Sequence, residues 1–241
     1  QNSSFSQIVK NNVAKYSFLN SMSGKLAIGW AKDSGNVDKQ NFHYGFQLKH
    51  TWDQNITVFK AKEKVDEKND EKYEDKREIS LSNNHNLTDI SGIYGKVTSY
   101  KNIFQGYEHE WRLGTGYLHC FFQEDCFFQE GGDKYFKTRI GYQRKFSEYT
   151  IGEDENRNFL LLGYRGGYPL MKNISFQTEL NYELDFSDSD RYEMDGFLST
   201  VFHVNKTIDI KLNYKVDYIH IPVSGKKNTD TSITSSLVYK F

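Results

Sequence analysis

Two serine–histidine pairs are spaced to share a proton. Ser99 and His109 flank a short loop and fall on the same parity of an alternating pattern, which makes them cross-strand neighbours; Ser199 and His203 share one face of a single strand. A hydroxyl beside an imidazole is the minimum of a hydrolase. The acid that would orient the ring is missing, because Glu108 and Glu110 have the opposite parity to His109. Ser199 and His203 read more simply as polar lining. The stretch "CFFQEDCFFQE" repeats five residues and places Cys120 and Cys126 close enough for a local disulfide in an oxidising compartment, the alternative being two free thiols left by the duplication. No matching His/Cys pair stands nearby to hold a metal. With no glycine-rich phosphate cradle and no clustered aspartate loop, the sequence calls for no cofactor, nucleotide or calcium ion.

The larger constellation is one of charges. Arg112, Lys137, Arg139 and Arg165 come from three successive candidate strands and share one parity; Glu179, Glu183, Glu193 and Asp195 share the same parity on the next two. Facing a common interior, they would form a basic wall beside an acidic wall. Such a transverse field favours polar, hydrated solutes. The alternative is that they pair across the interior and fill it, since buried charges persist only when paired.

These groups need elements that present one polar and one apolar face. In "NFHYGFQLKHTW", Phe42, Tyr44, Phe46, Leu48 and Trp52 alternate with His43, Gly45, Gln47, Lys49 and Thr51. "NISFQTELNYEL" and "TIDIKLNYKVDYI" repeat the pattern with full charges on the polar side. Twelve strands are expected, near 22–32, 39–52, 55–65, 74–85, 89–100, 106–119, 133–146, 158–170, 173–185, 191–204, 207–219 and 231–241. The charge run at 63–76 alternates poorly and reads as a solvated loop.

Composition agrees with such a sheet. Of 241 residues 16% are aromatic, with only 2 prolines, and no apolar run approaches the length of a membrane-spanning helix. A spanning strand needs only about 9–11 residues, half of them apolar. A net charge of −1, with basic residues dispersed, gives no reason to expect nucleic acid. The chain begins at Gln1 without an export signal, as a mature exported protein or a trimmed chain would.

The connections "WDQN", "NHNLT", "MKN" and "NKT" are tight, whereas "AKDSGNVDKQ", "SEYTIGEDENRN", "FSDSDR" and "IPVSGKKNTD" are longer and polar. Short turns at one end and long loops at the other are the habit of an outer-membrane barrel. The expected fold is therefore all-β: a single antiparallel transmembrane barrel over residues 22–241 in a bacterial outer membrane, preceded by an N-terminal periplasmic segment, 1–21. The last strand, "SITSSLVYKF", closes the sheet with Leu237, Tyr239 and Phe241 toward lipid. A soluble sandwich or lipocalin-like barrel would have to bury those aromatic stripes in a small interior. The partners expected are outer-membrane lipid and, through the C-terminal strand, the barrel-assembly machinery, with small polar solutes in the interior.

"GWAKDSGNVDKQNF", "GYEHEWRLGTGY" and "GKKNTDTSITSSLVYKF" resemble the uncharacterised YdiY-like family of salt-induced outer-membrane proteins, from about residue 22 to the C-terminus. The resemblance lies in turn glycines and strand alternation. It implies an outer-membrane barrel and brings no catalytic residues. A narrow passive pore or solute-binding barrel for small polar molecules is the leading functional reading; a closed barrel serving envelope structure or protein association is the second, and a lipid-modifying hydrolase the third.

Overall fold

The computed structural model describes residues 21–35, 39–68, 71–121 and 134–241. Within them lie twelve strands: β1 Met22–Ser34, β2 Lys39–Trp52, β3 Asn55–Lys68, β4 Glu71–Asn86, β5 Ser91–Asn102, β6 Tyr107–Cys120, β7 Tyr135–Tyr149, β8 Glu155–Met171, β9 Ile174–Asp185, β10 Tyr192–His203, β11 Ile208–Ile219 and β12 Thr229–Lys240. Each pairs antiparallel with its sequence neighbours, and β1 pairs with β12, so the sheet is a closed barrel. Closure leaves no open edge, the condition for a sheet to cross lipid with its backbone satisfied.

The period-two pattern decides which face meets lipid. On the closing pair, Ile28 lies opposite Leu237 and Leu26 opposite Tyr239, all on the outer surface. Leu237, Tyr239 and Phe241 are about half exposed there, and Trp30 packs edge-on against Phe42 with ring centroids 4.5 Å apart. The inner face inverts ordinary burial: Glu110, Lys145, Asn181 and Asp185 are among its most buried residues. An apolar cluster of Ile56, Val58, Tyr94, Leu118, Cys120 and Tyr135 fills the inner face of β3 and β5–β7 at the short-turn end. There the Tyr94 ring lies over Gly116 and Gly141, where a Cβ would collide with it.

In the charge run at 63–76, expected as a loop, the described residues are strand: the β3–β4 ladder continues to Lys68 opposite Glu71, with a bulge between Lys64 and Val65. Strands of 14 and 16 residues exceed the roughly 9–11 that span a bilayer. A ladder longer than lipid requires needs no apolar face, so backbone pairing can persist where the apolar alternation that signals a spanning strand is absent. The N-terminal segment 1–20 lies outside the described residues. So does Cys126, and the Cys120–Cys126 pairing with it.

Candidate functional site

The inner face gathers the charges in three tiers. At the long-loop end they are tightly knit. Lys145 on β7 is only 3% exposed and reaches Glu183 at 2.5 Å and Glu193 at 2.7 Å. Arg112 meets Glu110 at 2.5 Å, and Ser147 donates to the other oxygen of that carboxylate. Arg157 bridges Glu155 at 2.7 Å and Asp185 at 2.9 Å, while Arg191 joins Glu155 at 3.1 Å. Some pairs cross the interior: Lys76 on β4 meets Asp217 on β11 at 3.2 Å, two strands nearly opposite in the ring. Single mutations that strand one partner of such pairs are costly, because a buried charge is left uncompensated.

A strap covers this end. The β11–β12 connection places Val223 against Gly106 on the opposite rim, where the left-handed backbone (φ 92°) and the contact both suit glycine. Lys226 Nζ donates to the Ile103 carbonyl at 3.4 Å. Beneath the strap is a cavity of about 220 Å³ lined by Tyr107, Glu110, Lys145, Arg191, Glu193 and Val223.

The middle tier is looser. Arg139 reaches Glu179 at 3.2 Å and also donates to Asn181; Arg165 lies 3.7 Å from the same carboxylate. Asn181 passes a further hydrogen bond to Asp195 at 3.0 Å. Lys62 faces inward, paired in register with Glu78, yet its side chain is 62% exposed and 3.8 Å from that carboxylate. The adjoining wall has small residues: a Cβ at Gly45 would meet nothing nearer than 3.8 Å, Ala27 among its neighbours. Free space in the lumen therefore lies against β1–β3, and the packed charges against β6–β10.

At the short-turn end, four neighbouring strands bring together a group that sequence reasoning missed. Ser175 Oγ lies 3.0 Å from His203 Nε2, His203 Nδ1 lies 2.9 Å from Asp209 Oδ1, and Lys240 Nζ donates to the same Asp209 oxygen at 2.7 Å. The serine expected beside His203, Ser199, instead donates to Asn213 at 2.6 Å. Two turns, "MKN" and "NKT", set the register that unites these residues; counting polar positions outward from each turn was the available signal. Ser175 is 1% exposed and Asp209 is shared with Lys240, so the group has the relay of a hydrolase without an accessible nucleophile. On the outer surface Ser99 Oγ and His109 Nε2 do meet, at 3.1 Å. Of the two carboxylates beside His109, Glu110 is inward, but Glu108 is exposed at a bulge and Tyr107 takes the inward place. Lys137, also expected in the basic wall, lies over the Tyr135 ring at 5.3 Å. Basic and acidic residues of the neighbouring walls meet directly: Arg139 and Arg165 share Glu179, and Lys145, absent from the expected set, holds Glu183 and Glu193. Among the described residues no group of three metal-ligating side chains occurs.

The family model for the protein of unknown function DUF481 matches residues 26–241. The chain belongs to the DUF481 family. This agrees with the uncharacterised outer-membrane family that its motifs resemble. No curated protein matches it. Among solved structures, the NanC porin superposes with a TM-score of 0.60 at 10% identity, covering 90% of this chain and 100% of that one. The KdgM porin gives 0.48 at 10% identity, covering 89% and 99%, and the outer-membrane OmpT of Vibrio cholerae 0.48 at 7%, covering 91% and 97%. At such identities the likeness is one of fold. This member of the DUF481 family is a porin-like transmembrane barrel of the bacterial outer membrane, its aromatic belt in lipid.

Proposed function

We propose that the barrel is a narrow passive pore, or solute-binding barrel, for small polar molecules, and not an enzyme. The observation that carries this reading is Lys62: an inward side chain that is 62% exposed needs water beside it inside the barrel. The porin fold supports the reading at the level of architecture. A lumen lined by Arg112, Lys137, Arg139, Arg165, Glu179, Glu183, Glu193 and Asp195 offers solutes charged and hydrogen-bonding partners in place of bulk water. The C-terminal strand, with its outward Leu237, Tyr239 and Phe241, is the segment through which the barrel-assembly machinery would receive the chain.

A second reading, a closed barrel with a structural or associative role, is favoured by the Lys76–Asp217 bridge and the strap at the long-loop end. Purified protein in a planar bilayer separates the two. Discrete openings are expected for the pore; silence at high voltage, with the barrel shown to be inserted and folded, would overturn it.

A further inference from the structure

The charges of the two halves of the lumen do not balance. The long-loop half is rich in carboxylates, each held by a cation as described above. Below it the cations dominate. Lys211 on β11 lies over the Phe197 ring at 5.3 Å and is within Coulombic range of Arg165, Lys62 and Lys25, and of the Glu179 carboxylate. Lys96 on β5 senses Arg139 and Lys62 against Glu78 and Glu179. These side chains come from β1, β3, β5, β7, β8 and β11, so they surround the lumen and do not form a patch on one wall. Three carboxylates stand near the same level, Glu78, Glu179 and Asp195, the last accepting from Asn181 at 3.0 Å. The other two are already engaged: Glu179 by Arg139 and Arg165, Glu78 by Lys62.

We infer that this cationic ring is a selectivity site for anions, and that the solutes the lumen accepts carry a carboxylate or phosphate group. The inference rests on the pore reading and adds the solute class to it. Three physical points support it. Like charges held around one lumen sum their potentials, and the low-dielectric wall focuses the field along the axis. A cation entering the ring must approach several ammonium and guanidinium groups, whereas an anion replaces part of its hydration shell with their N–H donors. Arg139 and Arg165 flank Glu179 with planar guanidinium forks, and such forks recognise carboxylate and phosphate oxygens. The whole chain has a net charge of −1, so a positive lumen is a local arrangement that composition conceals.

The test combines selectivity and access. In a KCl gradient across a planar bilayer, the reversal potential should report chloride over potassium. Replacing chloride by gluconate or by phosphate on one side then tells which anion passes. The triple variant Lys62→Glu, Lys96→Glu and Lys211→Glu should reverse the sign of selectivity. The access measurement needs no conduction: a cysteine at inward Ala27, in a background with Cys120→Ser and Cys126→Ser, is treated with an anionic and with a cationic methanethiosulfonate. The anionic reagent should react about tenfold faster relative to the same pair at an exposed outer loop, from a potential of a few kT. The ratio should fall toward one as the Debye length shortens from about 10 Å at 0.1 M salt to about 3 Å at 1 M. Channel openings with potassium preferred overturn the inference and leave the pore standing. Silence with preferential anionic labelling overturns the pore and sustains the anion preference. Silence together with no labelling by either reagent overturns both.

Discussion

Lys145 is the residue whose loss should be felt most. It is 3% exposed, and its ammonium lies 2.5 Å from Glu183 and 2.7 Å from Glu193. At an effective dielectric constant of about 20, each contact has a gross Coulombic energy of about 6 kcal/mol. Desolvation of three buried charges offsets much of that, so the net worth of the cluster is small. Removing the cation alone is another matter, because two carboxylates then face each other with only the field of Arg112 to compensate them. Substitution Lys145→Met keeps the alkyl stem near the Phe159 ring, over which the ammonium sits at 4.4 Å, and deletes only the charge. We expect a loss of about 3–5 kcal/mol, the range measured when one partner of a buried pair is removed. The assay is reversible urea unfolding in lipid vesicles, followed by tryptophan fluorescence and by the heat-modifiable band on gels. Adding Glu183→Gln and Glu193→Gln to Lys145→Met should recover most of the loss. The deficit of the single variant should also shrink on acidification, because protonating the stranded carboxylates removes their repulsion. A Lys145→Met barrel within about 1 kcal/mol of the parent would refute the view that this tier is knit by buried charge.

The remaining predictions concern the strap and the cysteines. Replacing residues 222–226 by a short Gly/Ser segment releases the Val223–Gly106 contact and the Lys226–Ile103 bond while leaving all twelve strands intact; single-channel conductance should rise, and an unchanged conductance would show that the strap does not obstruct the mouth. Cys120 and Cys126 should be joined in the oxidised protein, with Cys→Ser at both leaving a folded barrel destabilised by no more than about 2–3 kcal/mol because the closed loop is short. A thiol-reactive polyethylene glycol that shifts the unfolded, unreduced chain on a gel would exclude that bond.

The alternation of apolar and polar residues was sufficient to determine twelve strands, their antiparallel order, the closed barrel and its lipid-facing stripe. Phe42, Tyr44 and Phe46 can alternate with His43, Gly45 and Gln47 only on a sheet with two environments, and that constraint is local to each strand. Parity also put Arg112, Arg139, Glu179 and Glu183 on one face. It could not say which would touch. Contacts across the lumen depend on the register of every ladder between the two residues and on barrel curvature, so Lys76 with Asp217, separated by more than half of the chain, had no local signal. The same holds for Ser175, His203 and Asp209, which meet because two tight turns align three strands. The charge run at 63–76 misled because a ladder longer than lipid requires needs no apolar face. Whether charges fill a lumen or line it was likewise a tertiary decision: bulky partners pack against β6–β10, while Ala27 and Gly45 leave the opposite wall thin enough for Lys62 to stand in water.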